Sequence, residues 1–188
     1  MELIPALKIG WLNGWILLAL LYLIFGILLL IFPKDVVARL YEYDRSRLSK
    51  RQRTFNVIRR SLGLVCLVLI IFTPIKTGTI VFIPGVILFG LGLAGFIIAL
   101  FDFKNAPLDQ PVIRGLYRIS RHPQILMLFV SACGICVAIG SWLVLVIQIL
   151  ASLFGHSRTL AEEQACLERY GDLYRAYMKR VPRYFLFF

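Results

Sequence analysis

Five long apolar stretches divide this chain, and nearly all of its charged residues lie between them. A helix rises about 1.5 Å per residue, so about 20 apolar residues cross the roughly 30 Å hydrocarbon core of a bilayer. The chain is 60% hydrophobic and 16% charged, whereas about 25% of the residues in an ordinary soluble domain are charged. The pattern predicts an all-α integral membrane protein with about five transmembrane helices in a single membrane domain, residues 1–188. The predicted spans are about 11–32, 61–74, 79–101, 124–139 and 141–156.

A signal peptide is the competing interpretation of the first stretch. The stretch is too long for the apolar core of a signal peptide. The residues that follow it, Pro33, Lys34 and Asp35, do not form a small-residue cleavage site. We therefore interpret it as a spanning helix.

The last two stretches are separated only by Gly140 and Ser141, which predicts a tight, short helical hairpin. Each is shorter than a full bilayer crossing. The second can be extended, because only Gly155 interrupts a helical pattern from Trp142 to about Tyr170. We expect this helix to leave the membrane without a break and to lead into a cytoplasmic helical segment.

Small residues inside the stretches are interpreted as packing contacts. Close approach of membrane helices favours small side chains, and the third stretch contains Gly85, Gly90, Gly92 and Gly95. Cys133 and Cys136 have the spacing of a metal or redox pair. Because they lie one turn apart inside an apolar stretch, we expect them to be packing residues, and we expect no metal.

The distribution of Lys and Arg predicts the orientation. Of 21 such residues, nineteen fall in three segments, 33–60, 102–123 and 158–183. The first of these is also punctuated by apolar side chains, which is typical of a partly helical segment lying on a membrane surface. Five spans place all three segments on one face, which the positive-inside rule makes cytoplasmic. The amino terminus is then outside and the carboxyl terminus cytoplasmic. This topology explains the net charge of +11, since a basic cytoplasmic face attracts anionic lipid headgroups, and nucleic-acid binding is not needed.

The first polar cluster lies just before the hairpin. Arg121 and His122 precede Pro123, which suits the first turn of a helix because it has no N–H to leave unpaired. A helix start offers free N–H groups and a partial positive charge, so it can hold a carboxylate. The alternative is a basic loop that only contacts headgroups.

The second polar cluster follows the hairpin. Arg158 and Glu162 are four residues apart and share a helix face, while Glu163 points to another. A simple surface ion pair is the alternative. Two adjacent carboxylates beside a membrane span are costly unless something cationic is bound or paired. Arg158 can pair with one acid, which leaves the other for a cationic ligand.

In this order, the residues resemble the integral membrane methyltransferases, which include isoprenylcysteine carboxyl methyltransferase and the phospholipid N-methyltransferases. The resemblance covers about residues 110–185. Its motifs are Gly115-x-Tyr117-Arg118-x-Ser120-Arg121-His122-Pro123, then Arg158-x-x-x-Glu162-Glu163, then Tyr170-Gly171-x-x-Tyr174-x-x-Tyr177 and Val181-Pro182-Arg183.

The resemblance implies that residues 110–188 are the cofactor-binding and catalytic part. It implies S-adenosylmethionine as methyl donor, bound at the cytoplasmic face, and a hydrophobic or lipid acceptor such as an isoprenylcysteine carboxylate or a phospholipid amine. Arg158 and Glu162 would be the catalytic residues. The cofactor-binding residues would be Tyr117, Arg121, His122, Pro123, Glu163 and Arg183.

The chain departs from the family's pattern directly after Pro123. The family commonly continues Arg-His-Pro-x-Tyr-x-Gly, but Ile125 and Met127 stand at the last two defined places. The change removes an expected tyrosine contact to the cofactor, and Met127 blocks a close backbone approach. Two alternatives stay open. NADPH-dependent membrane reductases of the steroid or sterol type have a similar His-Pro motif, acidic helix and tail over residues 168–183, but they usually have more helices. A non-catalytic membrane protein on the same scaffold stays open because the tyrosine and the glycine are missing.

Overall fold

The computed structural model describes residues 1–41 and 49–185, and that part of the chain folds into seven α-helices and one 3-10 turn. Three helices, Lys50–Phe72, Phe82–Lys104 and Trp142–Tyr170, are long and apolar enough to cross a membrane, while Trp15–Ile31 and Pro123–Ala138 are shorter apolar helices. The predicted all-α membrane architecture is thereby confirmed. The helices are α1 (Trp15–Ile31), α2 (Lys34–Tyr41), α3 (Lys50–Phe72), α4 (Phe82–Lys104), α5 (Pro123–Ala138), α6 (Trp142–Tyr170) and α7 (Asp172–Arg180), with the 3-10 turn at Gly115–Arg118.

Helix α1 begins later than the apolar stretch that contains it. The side-chain amide of Asn13 donates to the carbonyls of Lys8 (2.6 Å) and Ile71 (3.1 Å), and only 2% of Asn13 is exposed. These bonds fix an irregular amino-terminal segment against the end of α3. The helix therefore starts at Trp15 rather than at residue 11.

Helix α3 begins inside the basic segment, well before residue 61. Ser49 Oγ accepts from the Gln52 N–H (3.2 Å), and Gln52 Oε1 accepts from the Ser49 N–H (2.8 Å). This capping box satisfies two backbone donors and starts the helix there. The basic segment is therefore divided between α2 and the first turns of α3. Residues 42–48 of this basic segment, which was predicted to lie on a membrane surface, are outside the described residues.

Helices α4 and α5 are in backbone contact through small residues. A Cβ added at Gly85 would lie 2.4 Å from the backbone N of Ala138, and one at Gly92 would lie 2.4 Å from that of Ser131. Neither position can accept a side chain without the helices separating. Gly90 differs from the prediction, because nothing lies within 4 Å of its added Cβ. It is on the face of α4 that points away from α5.

Helices α3 and α6 pack antiparallel. The rings of Phe55 and Phe154 meet edge to face with centroids 5.4 Å apart, and Cys66 Sγ lies 3.5 Å from Gln148 Oε1. Residues later in α3 contact residues earlier in α6. The basic start of α3 therefore lies beside the second half of α6.

The hairpin between α5 and α6 turns at Gly140, whose φ of +67° is favoured only for glycine. Ser141 Oγ then accepts from the Val144 N–H at 3.3 Å and caps α6. The expected unbroken helix is present, since α6 continues to Tyr170. Gly171, with φ +55°, separates it from α7. The start of α5 and the end of α6 therefore lie on the same side of the molecule.

Candidate active site

The loop before α5 is shaped by one glycine and one aspartate. Helix α4 extends past residue 101, and Asp102 Oδ2 in its last turn accepts from the Leu116 N–H at 2.9 Å. Gly115 has φ +53°, and an added Cβ would lie 1.9 Å from the same oxygen. This contact turns the loop back toward the membrane domain. Pro123 is then the first residue of α5 and His122 its N-cap, as the sequence indicated.

The carboxyl-terminal segment lies along this loop. The Arg121 N–H donates to the Pro182 carbonyl (2.9 Å), and Ser120 Oγ donates to the Arg183 carbonyl (3.0 Å). Tyr177 in α7 donates its hydroxyl proton to the Tyr117 carbonyl at 2.7 Å. These bonds bring Arg183, from the end of the described chain, next to the start of α5.

Glu163 is the centre of the cluster. Arg183 Nε lies 3.0 Å from both of its carboxylate oxygens, and Arg183 Nη2 donates to Oε2 at 2.8 Å. His122 Nε2 and Arg121 Nε each lie 3.3 Å from Oε1. Glu163 is only 3% exposed and lies beyond the apolar part of α6. Burial by itself raises the pKa of this carboxyl, but the contacts with His122 and Arg183 and the charge of Arg121 outweigh it and lower the pKa to about 2.

Glu162 is the accessible acid of the pair. Arg158 Nε donates to its Oε1 at 2.8 Å, and 27% of the Glu162 side chain is exposed. His122 lies between the two acids, with Nδ1 4.0 Å from Glu162 Oε2 and Nε2 on the Glu163 side. From the sequence we expected Arg158 to pair with one of the two acids and the other acid to remain available for a cationic ligand. The second acid, Glu163, is instead taken by Arg183 and His122, and the exposed carboxylate is the one that Arg158 contacts.

A second histidine belongs to the same region and was missed by the sequence reasoning. His156 Nδ1 lies 3.2 Å from the Tyr184 hydroxyl, which donates to Thr159 Oγ1 at 3.1 Å. The Tyr184 ring lies between the two histidines, with centroid distances of 5.8 Å to His156 and 6.4 Å to His122. The i, i+3 spacing of His156 and Thr159 was a signal for a shared helix face. Nothing in the sequence indicated Tyr184.

Three residues singled out in the sequence lie beside the cluster rather than in it. Tyr117 is buried in an apolar group with Ala106 and Val112, and burial raises the pKa of its hydroxyl. Ile125 is 41% exposed on the surface of α5. Met127 packs on α4, where a Cβ added at Gly95 would lie 2.5 Å from Met127 Sδ. The methionine side chain thus fills space between helices.

The start of α5 contains donors that fit a carboxylate ligand. Arg121 Nε is close to Glu163 but is not aligned to donate to it, and Gln124 Nε2 is also buried; neither has a hydrogen-bond acceptor within the described ranges. The first N–H groups of a helix likewise have no acceptor inside the helix. These donors are of the kind from which a carboxylate accepts hydrogen bonds, and the partly exposed carboxylate of Glu162 would attract a cationic group. The residues therefore fit a zwitterionic ligand whose carboxylate and cationic centre lie apart, as in S-adenosylmethionine.

Comparison with known families supplies one match. The family model described as phospholipid methyltransferase matches residues 75–173, which is just over half of the chain. The matched part contains α4, α5 and α6, and so contains His122, Glu162 and Glu163; Arg183 lies beyond it. No curated protein and no solved structure gives a significant match.

Proposed function

This chain belongs to the phospholipid methyltransferase family, and from that membership we propose that it transfers a methyl group from S-adenosylmethionine to a hydrophobic, lipid-like acceptor. The acceptor classes are those that the sequence left open, a phospholipid amine or an isoprenylcysteine carboxylate. The family favours methyl transfer over the reductase alternative.

One observation supports the proposal most strongly. The second motif begins at Arg158, 35 residues after the first ends at Pro123, yet His122 lies within 4.0 Å of both acids of α6. A membrane protein that only needed basic residues near headgroups would gain nothing from burying Glu163 among three cationic or ionisable partners, because desolvating charges is costly. The arrangement is that of an organised site.

Each residue of the cluster has a proposed task. Arg121, with Gln124 and the start of α5, holds the carboxylate of the cofactor's amino-acid end, and His122 and Pro123 fix that turn. Glu162, held by Arg158, lies at the reacting centre and favours a cationic group by charge. When bound, S-adenosylmethionine supplies an electrophilic methyl group on a cationic sulfur.

Glu163 and Arg183 are proposed as positioning residues. Glu163 orients His122 and Arg121 through its buried carboxylate. Arg183 closes the carboxyl-terminal segment over the site, and the backbone bonds from Ser120 and Arg121 keep the segment there. Catalysis of a displacement depends mainly on such positioning. Tyr117 supports the same segment through its carbonyl.

We propose the orientation that the basic segments predict. The start of α3, the loop before α5 and the region after Phe154 lie at the same end of the helices, and these contain most of the Lys and Arg residues. This end would be cytoplasmic, with the amino terminus outside. Anionic headgroups would contact it, and nucleic acid has no part in the proposal.

The test is transfer of radiolabelled methyl groups from S-adenosylmethionine into lipids by the purified protein in mixed micelles of a membrane extract. We expect lipid-soluble label that depends on the protein and falls at least about 100-fold in Glu162→Gln. Glu168→Gln is the matched control, because Glu168 is an exposed acid on the same helix. No label above background with the wild type would reject the proposal.

A further inference from the structure

A cleft between the start of α3 and the second half of α6 lies next to the charged cluster and has no role yet. Its volume is about 530 Å³, and its walls include Arg51, Gln52, Phe55, Leu153, His156 and Leu160. Small-molecule sites commonly have volumes of about 300–1,000 Å³ and mostly apolar walls with a few polar groups. The cleft has that size and composition.

The polarity of the cleft changes along its length. Arg51 and Gln52 lie at the start of α3, in the basic segment, while Phe55 and Leu153 lie further along toward the apolar parts of both helices. The Arg51 guanidinium lies 5.2 Å from the Phe55 ring centroid, at the junction of the two regions. A molecule that fills the cleft therefore needs an anionic end and an apolar end, in the same order as the membrane surface and interior.

His156 connects this cleft to the cluster. With the Tyr184 hydroxyl donating its proton to Thr159 Oγ1, the contact between Tyr184 and His156 is a hydrogen bond when His156 Nδ1 is the donor. In the neutral imidazole, Nε2 is then unprotonated and can accept a proton. His156 forms part of the cleft wall, and beyond its partner Tyr184 lies His122.

We propose that this cleft is the acceptor site, that it binds a glycerophospholipid with an ammonium headgroup, and that His156 accepts the headgroup proton. This inference rests on the proposed function. Arg51 pairs with the phosphate, since guanidinium groups recognise phosphate oxygens well. The acyl chains lie along Phe55 and Leu153 and continue into the bilayer.

The proton step is needed because an ammonium nitrogen has no lone pair. One N–H bond of the headgroup breaks, its electron pair stays on nitrogen, and the proton forms a bond to His156 Nε2 to give an imidazolium. The resulting neutral amine is the nucleophile. Among the described residues, the charged and titratable groups around His156 are Arg51 from α3, Arg183 and Tyr184 from the carboxyl-terminal segment, His122 from the start of α5, and Glu163 from its own helix.

Binding is tested first, without any methyl donor. A photoreactive benzophenone residue is placed at Leu160 in the cleft or, as the control, at Leu91, which is 65% exposed on α4. Each variant is irradiated in detergent micelles with a trace of radiolabelled phosphatidylethanolamine. We expect crosslinking at Leu160 that unlabelled phosphatidylethanolamine displaces, and that falls about tenfold with Arg51→Gln but less than twofold with the neighbouring Lys50→Gln. Crosslinking that is not displaced, or is equal at the two positions, would overturn the site.

The role of His156 is tested by comparing the rate of methyl transfer by the wild type and by His156→Gln as a function of pH. We expect His156→Gln to retain the crosslink and to lower methyl transfer about 100-fold at pH 7, a usual effect of losing a general base. The loss should shrink toward pH 9, because the headgroup amine then deprotonates without help. A loss that is the same at every pH would overturn the role of His156 as proton acceptor.

The two experiments together distinguish failure of the cleft from failure of the proposed function. If the wild type crosslinks the lipid but transfers no methyl group to any lipid, the proposed function fails and the lipid site stands. If it methylates lipids without a displaceable crosslink, the cleft fails as the acceptor site and the proposed function stands.

Discussion

Arg183 donates to both carboxylate oxygens of Glu163, at 2.8 and 3.0 Å, and so joins the end of the described chain to the membrane helix α6. The same carboxylate also contacts His122 and Arg121 at the start of α5. One buried acid therefore holds three segments that are far apart in sequence.

Replacing Glu163 with alanine should destabilise the fold. The change would leave Arg121 and His122 buried without their counter-charge, and breaking one partner of a buried ion pair costs roughly 3–5 kcal/mol. We expect a loss near 3 kcal/mol, because the Arg183 side chain is 19% exposed and can recover some hydration. Unfolding in detergent, followed by far-ultraviolet circular dichroism, measures it. Glu168→Ala, on an exposed turn of the same helix, should leave the midpoint nearly unchanged, and equal effects of the two variants would contradict the assignment.

Arg183 should not be replaceable by lysine. Arginine can bridge two carboxylate oxygens with its planar fork, whereas lysine is a single flexible charge. We expect Arg183→Lys to release the carboxyl-terminal segment partly and Arg183→Met to release it further. Limited proteolysis reports this release, with cleavage near Gly171 rising in that order. Cleavage of both variants at the wild-type rate would mean that the backbone bonds alone hold the segment.

Acid should loosen the same cluster. The pKa of Glu163 is lowered from 4.5 to about 2 in the folded protein, so its contribution to stability is complete above pH 4.5 and is lost as the pH falls from there toward 2. We expect the unfolding midpoint of the wild type to fall across that window more steeply than that of Glu163→Gln, which has no proton to gain. Parallel curves for the two proteins would contradict the lowered pKa.

Two glycines of α4 that are only two residues apart should respond differently to replacement by alanine, because only one of them contacts α5. At Gly92 an added Cβ would lie 2.4 Å from the backbone of α5, whereas at Gly90 it would meet nothing within 4 Å. We expect Gly92→Ala to destabilise the protein by about 1–3 kcal/mol, as overpacking does. Gly90→Ala should be neutral or stabilise by up to about 1 kcal/mol, because alanine favours the helix. Unfolding midpoints compare them directly, and the opposite order would overturn the helix contact.

The sequence predicted the elements whose signals are local. Apolar stretches located α1, α4, α5 and the start of α6 to within a few residues, and Pro123 marked the start of α5 correctly. The predicted span 61–74 covers only the second part of α3, because the charged residues before it were taken as the limit of the span, although the Ser49–Gln52 capping box is readable in the sequence. A membrane helix can extend beyond the hydrocarbon layer, so charge does not bound it.

The partners inside the cluster were not predictable in the same way. Spacing placed Arg158 beside Glu162, and the structure agrees. It gave no indication that Glu163 would be neutralised by Arg183, since that pair depends on how the carboxyl-terminal segment folds back over α5. The contact between His156 and Tyr184 depends on the same fold, and the roles of all these residues remain proposals.

Cofactor binding tests the central claim most directly. We predict that isothermal titration calorimetry will detect S-adenosylhomocysteine binding to the purified wild-type protein, with affinity at least tenfold weaker in Arg121→Gln and unchanged in Lys179→Gln, a loss of exposed charge on α7. NADPH should give no heat of binding. Binding of NADPH, or failure of the wild type to bind S-adenosylhomocysteine, would contradict the claim that this cluster serves methyl transfer.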